Sequence, residues 1–362
     1  MTAITFVLWD GAGNVPPTLA VAEELAARGH EVDVLGHASL SERVARKGLA
    51  FTAFSRARAW DATQPEGPVA MVGMFSDSAM GEEVVEHVRA RSSRVVIDCL
   101  LFGAMRACRE AGFDYVALEH TCDAFLRKAA RGPFGLILRL RGFRPLGLLD
   151  AAVARVTMTV PELDPGHGDV THVGPVVRAA PWSSNEERAP AVLVSLSTYP
   201  YPDLKKLWQR IFDALDGLDA RVVATTGPAA DPATLRIPEG VEVHRWLDHA
   251  EILSEVTLVV GHGGLGTTMA ALAHGVPLLV LPLDPSGDQP FIGKAVESAG
   301  AGRTLSRKTK GPVIRRTIEE LLADGPHRDA ARRLGERIRH MDGRTGGADV
   351  IEATLLSATA GS

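Results

Sequence analysis

The chain has 362 residues, of which 46% are hydrophobic and 23% are charged, and its formal net charge is −5. This composition is typical of a globular protein and excludes the disordered and fibrous classes, while the length predicts two domains of roughly 100–200 residues each. The negative net charge argues against nucleic acid as a partner.

The cysteines, the first residues and the apolar runs indicate the cellular compartment. Cys99, Cys108 and Cys122 form no even-numbered disulfide framework and are predicted to be reduced thiols. The opening residues, MTAITFVLWDG, lack the basic region of a signal peptide and predict a strand instead. Apolar runs such as VPLLVLPL are far shorter than the roughly 20 residues of a membrane-spanning helix. We therefore expect a soluble, cytoplasmic protein.

The first half of the chain alternates apolar, β-branched runs with amphipathic stretches, the pattern of βα units on a parallel sheet. The predicted strands are ITFVLW (4–9), EVDVLG (31–36), RVVIDCLLF (94–102) and DYVALEH (114–120). The predicted helices are TLAVAEELAARG (18–29), which stops at a glycine, and FGAMRACREAG (102–112).

A second series of βα units begins near Pro190. Its predicted strands are VLVSLS (192–197), RVVATTG (221–227), VEVHRWLD (241–248), TLVVGHGG (257–264) and VPLLVLP (276–282). Its predicted helices are KKLWQRIFDALDGL (205–218) and GTTMAALAHG (266–275). The segment between the two series is rich in proline, serine and charge, as linkers are. We expect two doubly wound α/β domains that face each other across a cleft, residues 1–177 and 191–346, joined by a linker over 178–190.

In open α/β sheets ligands bind beyond the carboxyl ends of the strands, and the turn after residue 260 has the residues for this. Gly261, Gly263, Gly264 and Gly266 stand where a strand passes into a helix. Glycines let an anion approach the backbone, and the free N–H groups at a helix start favour a diphosphate. Thr267 can cap the helix or bind a phosphate oxygen, and His262 can donate to the same group.

Two further features point to a nucleotide sugar. Asp288 and Gln289 follow the next predicted strand, and a carboxylate beside an amide suits the hydroxyls of a sugar. Upstream, Trp246 offers an aromatic face on which a base can stack.

From His262 to Gln289 the sequence matches H-G-G-x-G-T, then A-x-x-x-G-V-P, then D-Q. This pattern resembles the donor site of the family 1, UDP-glycosyltransferase-like enzymes of the GT-B fold, in the style of the bacterial antibiotic and macrolide glycosyltransferases. The resemblance extends to the VGP element at 173–175. It implies two Rossmann-like domains, a UDP- or dTDP-sugar as co-substrate, and neither a permanently bound cofactor nor a metal. It also implies a C-terminal helix, 347–362, that packs back on the N-terminal domain.

The same resemblance assigns roles to individual residues. Trp246 is expected to stack on the nucleotide base, and His262 to contact the diphosphate. The strand that ends in VSLST lies where the family has S-x-G-[ST], and Ser197 replaces the glycine of that pattern. The candidates for donor contact here are Ser197 and Thr198. The implied phosphate cradle is Gly264, Gly266 and Thr267, and the implied sugar contacts are Asp288 and Gln289. The asparagine that commonly follows D-Q is absent from PFIGKA.

The first turn, GAGNVPPTLA, carries the main departure from the family pattern. A dinucleotide-binding fingerprint is excluded because Pro16 occupies its third glycine position and no acid ends EVDVLG. The family has G-H-x-x-P-T here, and its histidine is the general base. Asn14 stands at that position, and an amide cannot accept the acceptor's proton.

Three interpretations remain open at this point. A nucleophilic acceptor, such as an amine or an acidic phenol, would need no strong base, with Asn14 orienting it. Asp98, at the position of the family's histidine partner, is a candidate to act as the base itself. Alternatively, the chain binds a sugar nucleotide without transferring it, as an auxiliary subunit.

The reaction expected of the transferase is inverting, with a hexose-type sugar passing to an apolar acceptor of polyketide or phenolic type.

The acceptor side is less specific in the sequence. Gly13 in the first turn and His120 and Thr121 after a strand are expected to line the acceptor pocket; the spacing of His120 to Asp123 fits no metal site. Residues 124–149 contain six basic residues and no acid. Three interpretations of this stretch are open: ordinary helices with basic ends, a helix pair that covers a hydrophobic acceptor, or helices that bind weakly to a membrane surface. A homodimer is a further expectation.

Overall fold

A computed structural model describes residues 1–60, 67–178 and 189–357 of the chain. The chain divides into two compact units: Met1–Val176 with Asp342–Ser362 forms unit 1, and Val177–Met341 forms unit 2. Each unit is built on a parallel sheet, so the predicted fold class is confirmed. The predicted linker falls largely on residues 179–188, which lie outside the described residues.

Unit 1 is centred on a parallel sheet. Its strands are β1 (Ala3–Leu8), β2 (Glu31–Gly36), β3 (Ala50–Ala53), β4 (Arg94–Asp98), β5 (Tyr115–Glu119), β6 (Ala154–Thr157) and β7 (Val170–His172). They pair in the order β3-β2-β1-β4-β5-β6-β7. The order reverses between the neighbours β1 and β4, which creates a topological switch point there.

Helices connect these strands and cover the sheet. They are α1 (Val15–Ala27), α2 (Ser41–Ala45), α3 (Pro68–Phe75), α4 (Ser78–Arg91), α5 (Phe102–Glu110), α6 (Asp123–Arg131), α7 (Pro133–Leu140) and α8 (Pro145–Leu149). In β1, Ile4, Phe6 and Leu8 enter one apolar cluster and Val7 enters another. Because successive side chains of a strand point to opposite faces, this mostly apolar strand is buried on both sides.

The prediction that β4 continues to residue 102 is wrong, because the strand ends at Asp98. The Asp98 Oδ1 atom accepts a hydrogen bond from the Leu100 N–H at 3.1 Å, and the Asp98 carbonyl accepts one from the Leu101 N–H at 3.0 Å. These bonds turn the chain immediately after the strand, since an aspartate side chain competes with the ladder for nearby N–H groups. The apolar CLLF run that followed is buried in the turn and the start of α5.

Unit 2 has the same construction. Its strands are β8 (Ala191–Ser195), β9 (Arg221–Thr225), β10 (Val241–His244), β11 (Leu258–Gly261), β12 (Leu278–Val280) and β13 (Gly302–Thr304). Its helices are α9 (Leu204–Leu215), α10 (His249–Ile252), α11 (Leu265–Ala273), α12 (Gln289–Ser298), α13 (Gly311–Leu322) and α14 (Pro326–Arg339). The parallel strands pair in the order β10-β9-β8-β11-β12-β13, so the switch point lies between β8 and β11.

The last helix of the described chain, α15 (Gly343–Ser357), belongs to unit 1. It begins four residues earlier than the predicted start at 347, and it packs along α1. A Cβ atom on Gly347 would lie 2.9 Å from a methyl group of Val21, so the two helices are in close contact. Arg28 extends this contact with hydrogen bonds to Asp349 at 2.7 Å and Glu352 at 2.5 Å.

Helices α6 to α8 contain the basic stretch 124–149. Arg127 forms an ion pair with Asp150 at 2.7 Å, and Arg139 donates to the Ala130 carbonyl at 2.8 Å. Leu136 and Leu140 on α7 are exposed. Among the described residues, every helix is too short or too polar to cross a bilayer. Weak membrane contact through this stretch, and a homodimer, stay predictions.

Candidate active site

The glycine turn of unit 2 lies at its switch point, between β11 and α11. Gly263 has a φ of +89°, and a Cβ atom there would meet the Gln289 carbonyl at 2.8 Å, so only glycine fits. Gly264 is the N-cap of α11. A Cβ on Gly266 would meet nothing within 4 Å. The first N–H groups of α11 therefore start beside open space, as an anion site requires.

His262 packs against this turn as a neutral ring. Its Nδ1 atom is buried and has no hydrogen-bond partner among the described residues. Burial lowers the pKa of His262 to about 4, so the imidazole carries no charge at neutral pH. A Cβ on Gly264 would lie 2.9 Å from the ring, which fixes the ring position. A neutral imidazole can donate one hydrogen bond to an oxyanion.

The side chain of Gln289 holds the loop before it. Its Oε1 atom accepts hydrogen bonds from the Leu283 N–H at 2.7 Å and the Asp284 N–H at 3.0 Å, and its Nε2 donates to the Tyr201 hydroxyl at 3.1 Å. Asp288 precedes it as the half-buried N-cap of α12. The predicted sugar contacts therefore lie together, and one amide hydrogen of Gln289, a residue that is 4% exposed, has no partner among the described residues. Their contact with a sugar stays a prediction.

Four other predicted donor residues differ in exposure. Trp246 is 75% exposed, so its ring face is open to a stacking partner. Ser197 is buried, and its hydroxyl accepts a hydrogen bond from the Tyr199 N–H at 2.9 Å. Thr198 is exposed, and Thr267 is half-buried in the first turn of α11. Roles for these residues in donor binding stay predictions.

A serine–histidine pair at the carboxyl end of β8 was missed by the sequence analysis. The Ser195 hydroxyl lies 3.2 Å from His249 Nε2. Burial lowers the pKa of His249, so this ring is also neutral. The two residues are 54 positions apart, and no local pattern links them.

The switch point of unit 1 brings the two predicted catalytic residues together. Asn14 follows β1, Asp98 ends β4, and both are buried. The Asn14 Nδ2 atom donates to Asp98 Oδ2 at 2.8 Å and to the Trp9 carbonyl at 3.0 Å. Its Oδ1 accepts from the Gly11 N–H at 3.1 Å. The amide is fully engaged in orienting the carboxylate and closing its own turn.

His120 joins Asp98 from the end of β5. Its Nδ1 atom lies 3.1 Å from Asp98 Oδ2 and 3.6 Å from the Cys99 sulfur. Burial raises the pKa of the Cys99 thiol to about 11, so the sulfur is protonated at neutral pH. These three residue types can bind metals. We assign no metal here, because both Asp98 oxygens already accept hydrogen bonds.

Two further residues were predicted to line the acceptor pocket. Thr121, which follows His120 in the chain, is buried, and Gly13, which precedes Asn14, is exposed. Aromatic rings lie near the pair formed by Asp98 and His120. The Trp9 ring lies 6.5 Å from the His120 ring, 5.1 Å from Phe75 and 5.6 Å from Trp60, measured between centroids. Apolar rings thus lie beside the pair formed by His120 and Asp98.

Two parallel α/β units, with a glycine turn at the switch point of one and a carboxylate–imidazole pair at that of the other, agree with the predicted GT-B fold. Comparison with known proteins agrees. Residues 209–341 match the family described as erythromycin biosynthesis protein CIII-like, C-terminal domain. The structure superposes on that of the glycosyltransferase VinC in complex with dTDP with a TM-score of 0.74 and 17% identity, covering 98% of this chain and all of that one.

Two relatives in sequence illustrate the similarity. Demethyllactenocin mycarosyltransferase of Streptomyces fradiae is 28% identical over 99% of this chain and 87% of its own length. The 4'-demethylrebeccamycin synthase of Lentzea aerocolonigenes is 32% identical over 54% of this chain and 49% of its own length. The chain therefore has the GT-B fold and is similar in sequence to glycosyltransferases of antibiotic pathways.

Proposed function

We propose that the chain is an inverting glycosyltransferase that moves a hexose-type sugar from a UDP- or dTDP-sugar to an apolar small-molecule acceptor. The acceptor class we propose is a polyketide-like or phenolic aglycone. No permanently bound cofactor and no metal are part of this proposal. The auxiliary-subunit alternative, raised by Asn14, is not favoured, because several relatives are named as transferases.

The observation that carries the proposal is the turn from His262 to Gly266 at the switch point of unit 2. When the bond to the anomeric carbon breaks, negative charge accumulates on the leaving diphosphate. N–H groups at the start of α11, beside the open Gly266, would stabilise that charge, and His262 would donate to it. A neutral ring offers this hydrogen bond without the cost of burying a cation.

Donor recognition would extend on both sides of this turn. The open ring of Trp246 is suited to stack on uracil or thymine, and the dTDP complex of a structural relative supports a nucleotide of this kind. Ser197, Thr198 and Thr267 would contact the nucleotide and phosphates. Asp288 and the free amide hydrogen of Gln289 would bind sugar hydroxyls.

The acceptor would bind at unit 1, beside Gly13, His120 and Thr121. The apolar surroundings of His120, with Trp9 6% exposed and Trp60 half-buried, support an apolar or aromatic acceptor. Asp98 and Asn14 would serve the reaction from the same switch point.

The donor half is tested by titrating the protein with UDP, dTDP and their sugar conjugates in calorimetry. We expect Trp246→Ala to weaken binding of the preferred nucleotide about 5- to 150-fold, because stacking of a base on an aromatic ring contributes about 1–3 kcal/mol. Val313→Ala, which truncates another exposed apolar residue of unit 2, is the matched control and should bind like the wild type.

The transfer half is tested by mass spectrometry of incubations with phenolic and polyketide acceptors. We expect a glycoside heavier than the acceptor by one sugar residue, with the anomeric configuration inverted in its NMR spectrum. Binding of no nucleotide would refute the donor site. Nucleotide binding without any glycoside would refute the transferase activity proposed for these acceptors.

A further inference from the structure

Both carboxylate oxygens of Asp98 accept hydrogen bonds, although the first turn contains no histidine. Its Oδ1 accepts from Leu100, while its Oδ2 accepts from Asn14 and lies 3.1 Å from His120. Only 1% of the Asp98 side chain is exposed, compared with 14% for His120. A bound molecule can therefore reach the imidazole but not the carboxylate behind it.

We propose that His120, held by Asp98, is the general base of this transferase. The base would then come from the end of β5 instead of the turn between β1 and α1, where Asn14 stands. This inference rests on the proposed function, because a base is needed only if an acceptor is deprotonated.

The hydrogen bond determines which nitrogen would act. With Nδ1–H donated to the carboxylate, the lone pair of the neutral ring is on Nε2. The Nε2 atom has no hydrogen-bond partner among the described residues, whereas both ends of the Asn14 amide are occupied. Asn14 is thus a positioning residue for Asp98, and Asp98 is one for His120.

The proton and electron movements balance in a single displacement. Nε2 takes the proton of the acceptor hydroxyl, and the acceptor oxygen forms a bond to the anomeric carbon. The bond from that carbon to the diphosphate oxygen breaks, and its electron pair leaves with the nucleoside diphosphate. The proton remains on His120 until solvent removes it. The Trp9 ring, whose centroid lies 6.5 Å from that of His120 and which is 6% exposed, makes the surroundings of this imidazole apolar.

The surroundings of His120 predict the pH dependence. Burial lowers its pKa, but the charge of Asp98 and the contact with Cys99 outweigh this and raise the pKa of His120 well above its usual value near 6.5. The charged or titratable groups near it are Asp98 and Cys99 on the β4 side and Glu119 on its own strand. The ring gains its free lone pair only as pH rises, so the rate should increase toward alkaline pH.

The test uses His120→Gln in the full chain, with a series of phenols whose own pKa values range from about 5 to about 10. For weakly acidic phenols we expect kcat to fall about 10²- to 10⁴-fold, the usual contribution of a general base. For phenols already ionised in the assay the loss should be small, because no proton has to be removed. The KM for the nucleotide sugar should not change, and the alkaline rise of the wild-type profile should disappear.

His172→Gln is the matched control: His172 is also in unit 1, is 12% exposed and is bound through Nε2 to the Asp164 carbonyl at 2.8 Å. It should keep the wild-type rate and pH profile. Equal losses in His120→Gln for acidic and weakly acidic phenols, or an unchanged pH profile, would overturn the base while leaving the transferase intact. A wild type that makes no glycoside would overturn the proposed function, and the base with it.

Discussion

At the scale of single residues, the two switch points contain histidines of opposite character. His120 sits against a carboxylate, which raises its pKa, and His262 sits in an uncharged, buried turn, which lowers its pKa to about 4. The first suits proton transfer, and the second suits a fixed hydrogen bond. Residue type alone does not separate these roles, because the difference lies in the neighbouring groups.

His262→Ala is expected to weaken donor binding about 10- to 150-fold, since a hydrogen bond to a charged group contributes about 1.5–3 kcal/mol. The ratio of wild-type to variant affinity should stay constant between pH 6 and pH 9, because a ring with a pKa of about 4 is neutral throughout this range. Calorimetric titration with the preferred nucleotide measures both. His340→Ala, at an exposed position of unit 2, is the control. An affinity ratio that grows toward acid pH would instead indicate that an imidazolium binds the diphosphate.

At the scale of elements, local sequence patterns predicted what is locally determined. The run from β11 through the glycine turn to α11 and β12 is readable because apolar strand residues, glycines and a helical repeat follow one another along the chain. Asn14 and Asp98, which are 84 positions apart, were both predicted because the resembled family has its histidine and the partner of that histidine at these positions.

The parts that could not be predicted depend on strand order and on side-chain hydrogen bonds. His120 reaches Asp98 because β5 pairs with β4, and a single sequence does not specify that pairing. Similarly, the sequence placed Gln289 at the sugar, but its amide oxygen is taken by the N–H groups of Leu283 and Asp284. The early end of β4 follows from hydrogen bonds of Asp98 that an apolar run does not reveal.

A buried charge cluster at the ends of β5 and β6 has its own consequence. Glu119 is fully buried, and neither of its carboxylate oxygens has a hydrogen-bond partner among the described residues. Burial, and then the nearby charge of Asp123, raise the pKa of Glu119 to about 8, although Arg155 lies 3.6 Å from it and opposes the shift. The folded state therefore keeps a proton that the unfolded chain releases near pH 4.5.

This proton makes stability fall as pH rises. Between about pH 4.5 and pH 8 the folded wild type binds more protons than the unfolded chain, so its free energy of unfolding should decrease by up to about 1.4 kcal/mol per pH unit from this group. Glu119→Gln removes the group, so the variant should gain stability relative to the wild type from pH 5 to pH 9. Urea denaturation at several pH values measures the difference. Glu110→Gln, at a site with 71% exposure, should show no such trend, and a flat Glu119→Gln difference would contradict the buried proton.

At the scale of the whole molecule, unit 1 is assembled from both ends of the described chain. The polypeptide leaves unit 1 after Val176 and returns at Asp342, so α15 completes a unit that began at residue 1. Ion pairs connect α15 to α1, among them Arg28 with Asp349 and Arg344 with Glu24. Stability of unit 1 should therefore depend on residues that follow unit 2 in sequence.

Gly347→Leu tests this dependence. Leucine favours a helix more than glycine does, so the helix itself should not suffer. A Cβ atom at this position would, however, lie 2.9 Å from Val21, and a larger side chain would force α15 away from α1. Such overpacking costs about 1–3 kcal/mol. We expect faster hydrogen exchange in α1, β1 and β2, with the amides of β8 to β13 unchanged.

A control variant shows whether the effect of Gly347→Leu comes from the contact with α1. Ala353→Leu places the same side chain at an exposed position of α15 and should leave exchange in both units at the wild-type rate. If Gly347→Leu accelerated exchange equally in α1 and in β11, the two units would unfold as one cooperative body. If it altered neither, the contact between α15 and α1 would not contribute to the stability of unit 1. Acceleration confined to unit 1 would show that its free energy of unfolding depends on the last helix of the described chain, as the packing of Gly347 on Val21 requires.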